Sequence, residues 1–457
     1  MAWTTTSISS SSASRCPMTD AATLDGLLAA HPEIDRVEAF VCDVNGLARG
    51  KWLPRDKALD IPAKGLPLPR SIFALDIWGR DVPEAGLAFG TGDPDALCWP
   101  IDGTAALVPW AARPTAQVML AMRDGDAQAF YGDPRALLTR AVERLAERGL
   151  HPVVATELEF YLLDAGGPIA ADDSCQVLSI DALREDEPVL DAIEAACRTQ
   201  GVPTEAILRE NGPGQYEINL RHVADACRAA DHAILLKRTV RAIARDHGRL
   251  ASFMAKPLAG QSGSGMHVHV SLLDDTGTPV FAGAADGINA TLRHAVGGLV
   301  ATMADSMLLF APHANSYRRY NRRATARMTA GWGQGDRSAG VRVITGSPQA
   351  TRLEHRVAGA DANPYLVLTA ILSGILHGIE HGIDPGEAHA PDAYGRGGAA
   401  LPLEWSAAID AFAASEWMAG AIGEEARDMI LACKRRDHDE LAAKVPDTEY
   451  AAYLRTL

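Results

Sequence analysis

The sequence of 457 residues contains no C-x-x-C pair, and its seven cysteines, Cys16, Cys42, Cys98, Cys175, Cys197, Cys227 and Cys433, are widely spaced. An odd number at such spacings argues against a disulfide framework and against a zinc site built on thiolates; reduced thiols in a cytoplasmic protein are expected. No apolar run is long enough to span a bilayer, so a membrane is not an expected partner. The N-terminal stretch is rich in Ser and Thr but lacks the basic and apolar regions of a secretory signal, and residues 1–19 read as a disordered tail. Long basic runs are missing too. With 43 Lys and Arg against 58 Asp and Glu, the formal net charge is -15, which excludes nucleic acid as an expected partner because phosphate binding needs a basic surface.

What remains is an ordinary globular composition, 47% apolar and 22% charged, with length for two domains and at least one large core. Residues 36–53 read as a hairpin: RVEAFVCDV is rich in strand formers, Asn45-Gly46 supplies the turn, and LARGKWL returns. The GLARGKW stretch has neither the spacing nor the Ser/Thr of a P-loop. A helix is expected after Asp133, which can cap it, with Pro134 in the first turn and Gly149 as its stop. A second long helix is expected from Asp231 to Gly248. The domain boundary falls ahead of the first helix, giving 20–125 and 126–457.

Four later segments share one pattern. Glu157, Glu159 and Tyr161 alternate with apolar residues in VVATELEFYLL, as do Gln215, Glu217 and Asn219 in GQYEINL. His267, His269 and Ser271 do so in GMHVHVSL, and Arg352, Glu354 and Arg356 alternate with Leu353, His355 and Val357 in TRLEHRV. A strand has period two, so each segment puts its acids, histidines or arginines on one face. One such strand would be read as a sheet with a solvated face. The set of four lacks lysine entirely and concentrates Glu, His and Arg. If these faces converge, they form a carboxylate-rich cavity that needs cations, and oxygen ligands with an occasional imidazole suit Mg²⁺ or Mn²⁺. Gly260, Gly263 and Gly265 do not form a dinucleotide fingerprint and precede a strand; they let backbone approach a ligand.

The segments TELEFYLL, ENGPGQYEINL, GSGMHVHVSL, NSYRRY, DRSAGVRV and TRLEHRVAGADANPYL resemble, in order, the signature motifs of the glutamine synthetase family, and the likeness covers about residues 30–457. The resemblance implies an α+β fold: a small N-terminal β-grasp domain and a large catalytic domain whose antiparallel strands line the active site and are surrounded by helices. It implies a homo-oligomeric ring, a dodecamer of two hexamers, with active sites between subunits. It implies ATP and two or more Mg²⁺ or Mn²⁺ ions per site. Glu159, Glu210 and Glu217 match the ligands of one metal, and Glu157, His267 and Glu354 those of the other. His269, Ser271, Arg337, Arg342 and Arg352 match positions near the nucleotide and transferred phosphate; Arg319 and Arg356 match those that hold the glutamate carboxylates. Arg319, Arg337 and Asp76 are the implied catalytic residues.

Three positions depart from the ammonia-using enzymes. Thr325 occupies the place of the flap glutamate. The F-D-G-S-S motif is replaced by LDIWGR, keeping Asp76 but bringing Ile77 and Trp78, and Ser262 stands before Gly263 where Asn is usual. These departures resemble the γ-glutamylpolyamine and γ-glutamylmonoamine synthetase branch. The implied activity is an ADP-forming carbon–nitrogen ligase. It joins the side-chain carboxylate of glutamate to a polyamine or a monoamine such as ethanolamine through γ-glutamyl phosphate. Asp76 is expected to meet the amine, and Trp78 to offer its ring to a second ammonium. The competing readings are an ammonia-using glutamine synthetase and a non-catalytic scaffold or regulator. Tyr394, near where some relatives are adenylylated, reads as an ordinary surface tyrosine.

Overall fold

The computed structural model describes residues 23–88, 90, 92–125, 128–166, 177–283, 288–320, 329–389 and 399–457. Thr325, Tyr394, Cys16, Cys175 and the 1–19 tail lie outside them. The fold is α+β, built on two sheets.

The first sheet is formed by β1 (Arg36–Cys42), β2 (Ala48–Pro54), β3 (Leu66–Pro69), β4 (Asp95–Pro100), β5 (Ala106–Leu107), β6 (Thr115–Asp124) and β7 (Gln128–Ala129). Its order is β2-β1-β6-β4-β3, with β5 and β7 on β6. The β1–β2 hairpin closes as expected at Asn45-Gly46; Gly46 has a φ of 75°, the left-handed conformation that such a turn requires. GLARGKW is therefore strand and turn. The sheet runs past residue 125 to its last short strand, β7.

The helix Pro134–Ala146 begins where Asp133 accepts a hydrogen bond from the Arg135 backbone N–H. The next long helix, Ala226–Asp246, starts earlier than expected because Asp225 is its cap. Asp231 lies inside that helix, fully buried, with its carboxylate held by Arg135 at 2.9 Å and by the Tyr365 hydroxyl at 2.7 Å.

The second sheet contains β8 (His151–Asp164), β9 (Thr204–Arg209), β10 (Gln215–Leu220), β11 (Arg249–Ser252) and β12 (Met266–Leu273). After β13 (Thr329–Ala330), which pairs with the distant β17 (Ala399–Ala400), it is completed by β14 (Trp332–Gln334), β15 (Val341–Ile344) and β16 (Arg352–His355). The order is β14-β15-β16-β12-β8-β10-β9, with β11 on β8, and every pairing but β14–β15 is antiparallel. The four patterned segments are thus adjacent strands. Their apolar faces join one continuous core that reaches from Phe40 and Val118 of the first sheet through Leu158 and Val270 of the second to Ile371 in the helix Pro364–His381. Among the described residues Cys42, Cys98, Cys197, Cys227 and Cys433 are buried free thiols.

Candidate active site

β8 lies between β10 and β12, and this neighbourhood builds the site. The register sets Glu217 opposite Glu159, and it flanks Glu157 with Asn219 on one side and His267 on the other. β16 adds Glu354 opposite His269, and β15 adds Arg342 opposite Glu354. The polar faces of these strands are not solvated: β10 and β16 are buried along their whole length. Like charges directly opposite each other in a sheet are destabilising, so the Glu159–Glu217 pair calls for a cation or a proton.

The donor atoms converge in three groups, each within 4.8 Å: Glu159 with Glu210 and Glu217; Glu157 with Glu217 and His267; and Glu157 with His269 and Glu354. Shared members join them into one acidic cleft. The first group is the trio that the family resemblance implies. The second expected trio is split between the other two groups: the His267 Nδ1 is 3.3 Å from Glu157 and 4.0 Å from Glu354, while the His269 Nε2 is 3.0 Å from Glu157.

Electrostatics divide the carboxylates. Burial and then the Glu210 charge raise Glu159 to about 7. Burial, Glu157 and Glu159 together raise Glu217 as well. Burial acts in the same sense on Glu157, but hydrogen bonds with His267 at 3.3 Å and His269 at 3.0 Å outweigh it and keep that group ionised. Burial also opposes ionisation of Glu354; Arg356 outweighs it, with Arg342 paired at 3.0 Å. Carboxylates ready to exchange a proton for a cation, on buried strands with one or two imidazoles, form a donor set that fits hard divalent ions.

Arg352 fixes the role of His269. Its Nε–H points at the His269 Nδ1, 3.2 Å away. Arginine can only donate, so Nδ1 is the acceptor, and Nε2 carries the proton donated to the Glu157 carboxylate. In this arrangement His269 orients a carboxylate. Ser271 follows on the same strand face and is buried.

Arg319 is 6% exposed and donates to the carbonyls of Val357 at 2.7 Å and Ala358 at 3.1 Å. Gly263 and Gly265 lie against it. A Cβ on Gly263 would stand 2.7 Å from the Arg319 Cγ, and one on Gly265 2.6 Å from its Nη2 and 3.2 Å from the His267 Nε2. These glycines serve side-chain access as well as backbone approach. The Gly265 N–H donates to Glu159 at 2.8 Å, and the Ser262 carbonyl accepts from the Tyr161 hydroxyl at 2.7 Å.

Gln215 and Asn219 complete the cleft, although sequence reading left them unassigned. The Gln215 amide bridges the Gly263 carbonyl at 3.1 Å and Glu159 at 3.4 Å, and Asn219 donates to Glu217 at 2.9 Å. Their place on the same strand face as Glu217 was the available signal. Arg337, in contrast, is exposed on the stretch between β14 and β15. Asp76 is not in the cleft's donor groups. It is 1% exposed and occupied within its own turn, accepting from the Trp78 and Arg80 N–H groups at 2.9 Å and pairing with the Arg80 Nε at 2.7 Å. The Trp78 ring is partly exposed but already meets Arg80 at 4.9 Å and Lys444 at 4.6 Å.

The model of the glutamine synthetase catalytic domain matches residues 131–453. The γ-glutamylputrescine synthetase PuuA of Escherichia coli is 37% identical over 434 residues, covering 92% of this chain and 91% of that one. A glutamate–isopropylamine ligase of a Pseudomonas species is 34% identical, over 74% of this chain and 76% of its own. Among solved structures, a GmaS/ADP complex superposes with a TM-score of 0.84 at 27% identity, covering 95% of this chain and 99% of that chain. No described helix is long and apolar enough to cross a membrane. The family match and the near full-length relatives agree with the strand-by-strand placement of the acids and histidines, and the chain belongs to the glutamine synthetase family.

Proposed function

We propose that this enzyme couples the side-chain carboxylate of glutamate to a primary amine at the expense of ATP, forming ADP, with γ-glutamyl phosphate as the intermediate. The observation that carries the reading is the continuous acidic cleft, whose three donor groups share Glu157 and Glu217. Glu159, Glu210 and Glu217 would hold one divalent ion, and Glu157 with His267, Glu354 and their neighbours a second. Mg²⁺ or Mn²⁺ bound there supplies neutralising charge for phosphoryl transfer.

The protein's own residues do the positioning. Arg319 and Arg356 offer forked donors to the carboxylates of glutamate, while Arg337, Arg342 and Arg352 offer positive charge to the nucleotide and the transferring phosphoryl group. His269 keeps Glu157 ionised and oriented. Preference for an amine over ammonium is supported by two relatives whose names specify putrescine and isopropylamine. The neutral Thr325 also supports it, since capture and deprotonation of ammonium need an anionic base nearby. With its carboxylate occupied inside the chain, Asp76 has the role of shaping the turn that presents Ile77 and Trp78, both of them exposed. Those two residues suit contact with a neighbouring subunit of a ring.

The test is ADP release with glutamate, ATP and Mg²⁺ across putrescine, isopropylamine, ethanolamine and ammonium. At least one amine is expected to exceed ammonium by about tenfold or more in kcat/KM, the scale set by losing one specific polar contact. Ammonium matching every amine would make the enzyme a glutamine synthetase. No turnover with any of them, despite Mn²⁺ and ATP binding, would overturn the ligase reading.

A further inference from the structure

A second concavity, of about 550 Å³, lies between the β1–β2 hairpin and the helix Ala226–Asp246. It shares no residue with the acidic cleft. Five cations line it, Arg36 from β1 and Lys237, Arg238, Arg241 and Arg245 from the helix, against a single lining carboxylate, Glu38. Helical spacing explains the convergence: positions 237, 241 and 245 recur every four residues and stack on one face.

Glu38 is already paired with Arg238, and Arg245 pairs with its neighbour Asp246 at 3.3 Å. Arg36 and Arg241 have no carboxylate partner among the described residues, and Lys237 has only the nearby charge of Asp361. Arg36 donates to the Thr115 hydroxyl at 3.2 Å and lies 4.0 Å over the Trp52 ring. Lys237 donates to the Ala362 carbonyl at 3.1 Å, and Arg241 lies 5.2 Å over Phe253. Burial and then Arg241 push the Lys237 ammonium below its ordinary range. Two uncompensated guanidinium groups, Arg36 and Arg241, in one concavity stand out in a chain of net charge -15. A concave low-dielectric wall focuses such a field, and like charges crowded there repel unless an anion joins them. The volume falls within the roughly 300–1,000 Å³ of small-molecule sites. Trp52, 67% exposed, and Trp110 add flat apolar surface at the rim.

We propose that this cleft binds a small multivalent anion, a compound carrying two or more carboxylate or phosphate groups. Arg36 and Arg241 would be its principal partners, with Lys237 at the floor.

The test is calorimetric titration of the full-length protein, freed of metal by dialysis in low-salt buffer, with inorganic pyrophosphate and separately with succinate. Saturable binding of one probe per chain is expected, and which probe binds distinguishes a phosphate from a carboxylate ligand. Arg241→Gln and Arg36→Gln should each weaken it by about tenfold, as for loss of a charge-assisted contact. Circular dichroism melts check that both variants fold, and either one suffices if the other does not. Failure of both probes to saturate would overturn the proposal, as would binding insensitive to both substitutions. A loss in Arg342→Gln as large as in Arg241→Gln would place the anion in the acidic cleft and equally overturn it.

Discussion

Gly265 has no room for a side chain, and the reason lies in Arg319. A Cβ there would press on the guanidinium from one side and on His267 from the other, while the backbone N–H would still reach Glu159. Gly265→Ala therefore separates the two halves of the site. The carboxylate cluster keeps its backbone donor, but the Arg319 fork is displaced from the place where glutamate would sit. A charge-assisted hydrogen bond contributes roughly 1.5–3 kcal/mol, so the KM for glutamate should rise by about tenfold or more. Metal binding by Glu159, Glu210 and Glu217, the group without His267, should change far less when followed by calorimetry. A variant with normal glutamate KM would show that Arg319 is structural, a buried tie between the Val357 and Ala358 carbonyls.

At the scale of the strand, the cleft stores repulsion. Glu159 and Glu217 face each other across β8 and β10, and without metal they are held by protons. The sign of the pH dependence follows. The folded Glu159 binds its proton up to about 7, above the ordinary carboxylate value of 4.5 that applies to the unfolded chain. Its favourable contribution is complete below the unfolded value and is lost as pH rises through about 7. Divalent metal binding must displace such protons, so affinity should fall as pH drops below about 7, with proton release detectable from buffer-dependent calorimetric heats. Glu217→Gln removes the facing charge. It should raise the Tm of the metal-free protein at pH 10, where both carboxylates would otherwise be ionised, by an amount of order 1 kcal/mol in stability, and should shrink the stabilisation that Mg²⁺ gives. A lower metal-free Tm in this variant would mean that the pair is not repulsive. Alternation made the shared face of these strands legible in the sequence, and the absence of lysine marked it as a site. Register was not legible, because nothing in either segment says that Glu217 meets Glu159 rather than Glu157. Gln215 and Asn219 were unassigned for the same reason, since neutral amides stand out only once their partners are known. The helix Ala226–Asp246 begins ahead of the expected Asp231 because Asp225 caps it, and only tertiary partners show that Asp231 is buried.

Across the whole molecule, the two sheets share a core, and buried polar bonds tie the first sheet's turns to the helices Pro364–His381 and Glu424–Ala442. The hairpin turn of the first sheet presents Asn45, whose side-chain oxygen accepts from the Lys434 ammonium at 2.6 Å, and the Asp43 carbonyl, which accepts from the Asn363 amide at 2.9 Å. Lys434 is 1% exposed, and its other partner, Asp437 at 3.4 Å, also accepts from the Ile77 N–H, in the connection between β3 and β4, at 2.9 Å. These bonds join segments more than 300 positions apart in the chain, and the basic cleft arises the same way, from residues 36–52, 110–112 and 234–245. Such long-range features leave no local pattern, which is why the sequence showed a hairpin and a helix but neither the seam nor the cleft between them. The seam predicts joint unfolding. Lys434→Met removes the cation and leaves Asp437 buried without it, a change that typically costs roughly 3–5 kcal/mol. Chemical denaturation should show that loss as a lower midpoint. Tryptophan fluorescence should still coincide with far-ultraviolet circular dichroism in one transition, because the first sheet, which carries Trp52 and Trp99, has no separate core to retain. Two resolved transitions in the unmodified protein would show instead that the sheets are independent folding units and that Lys434 joins finished domains.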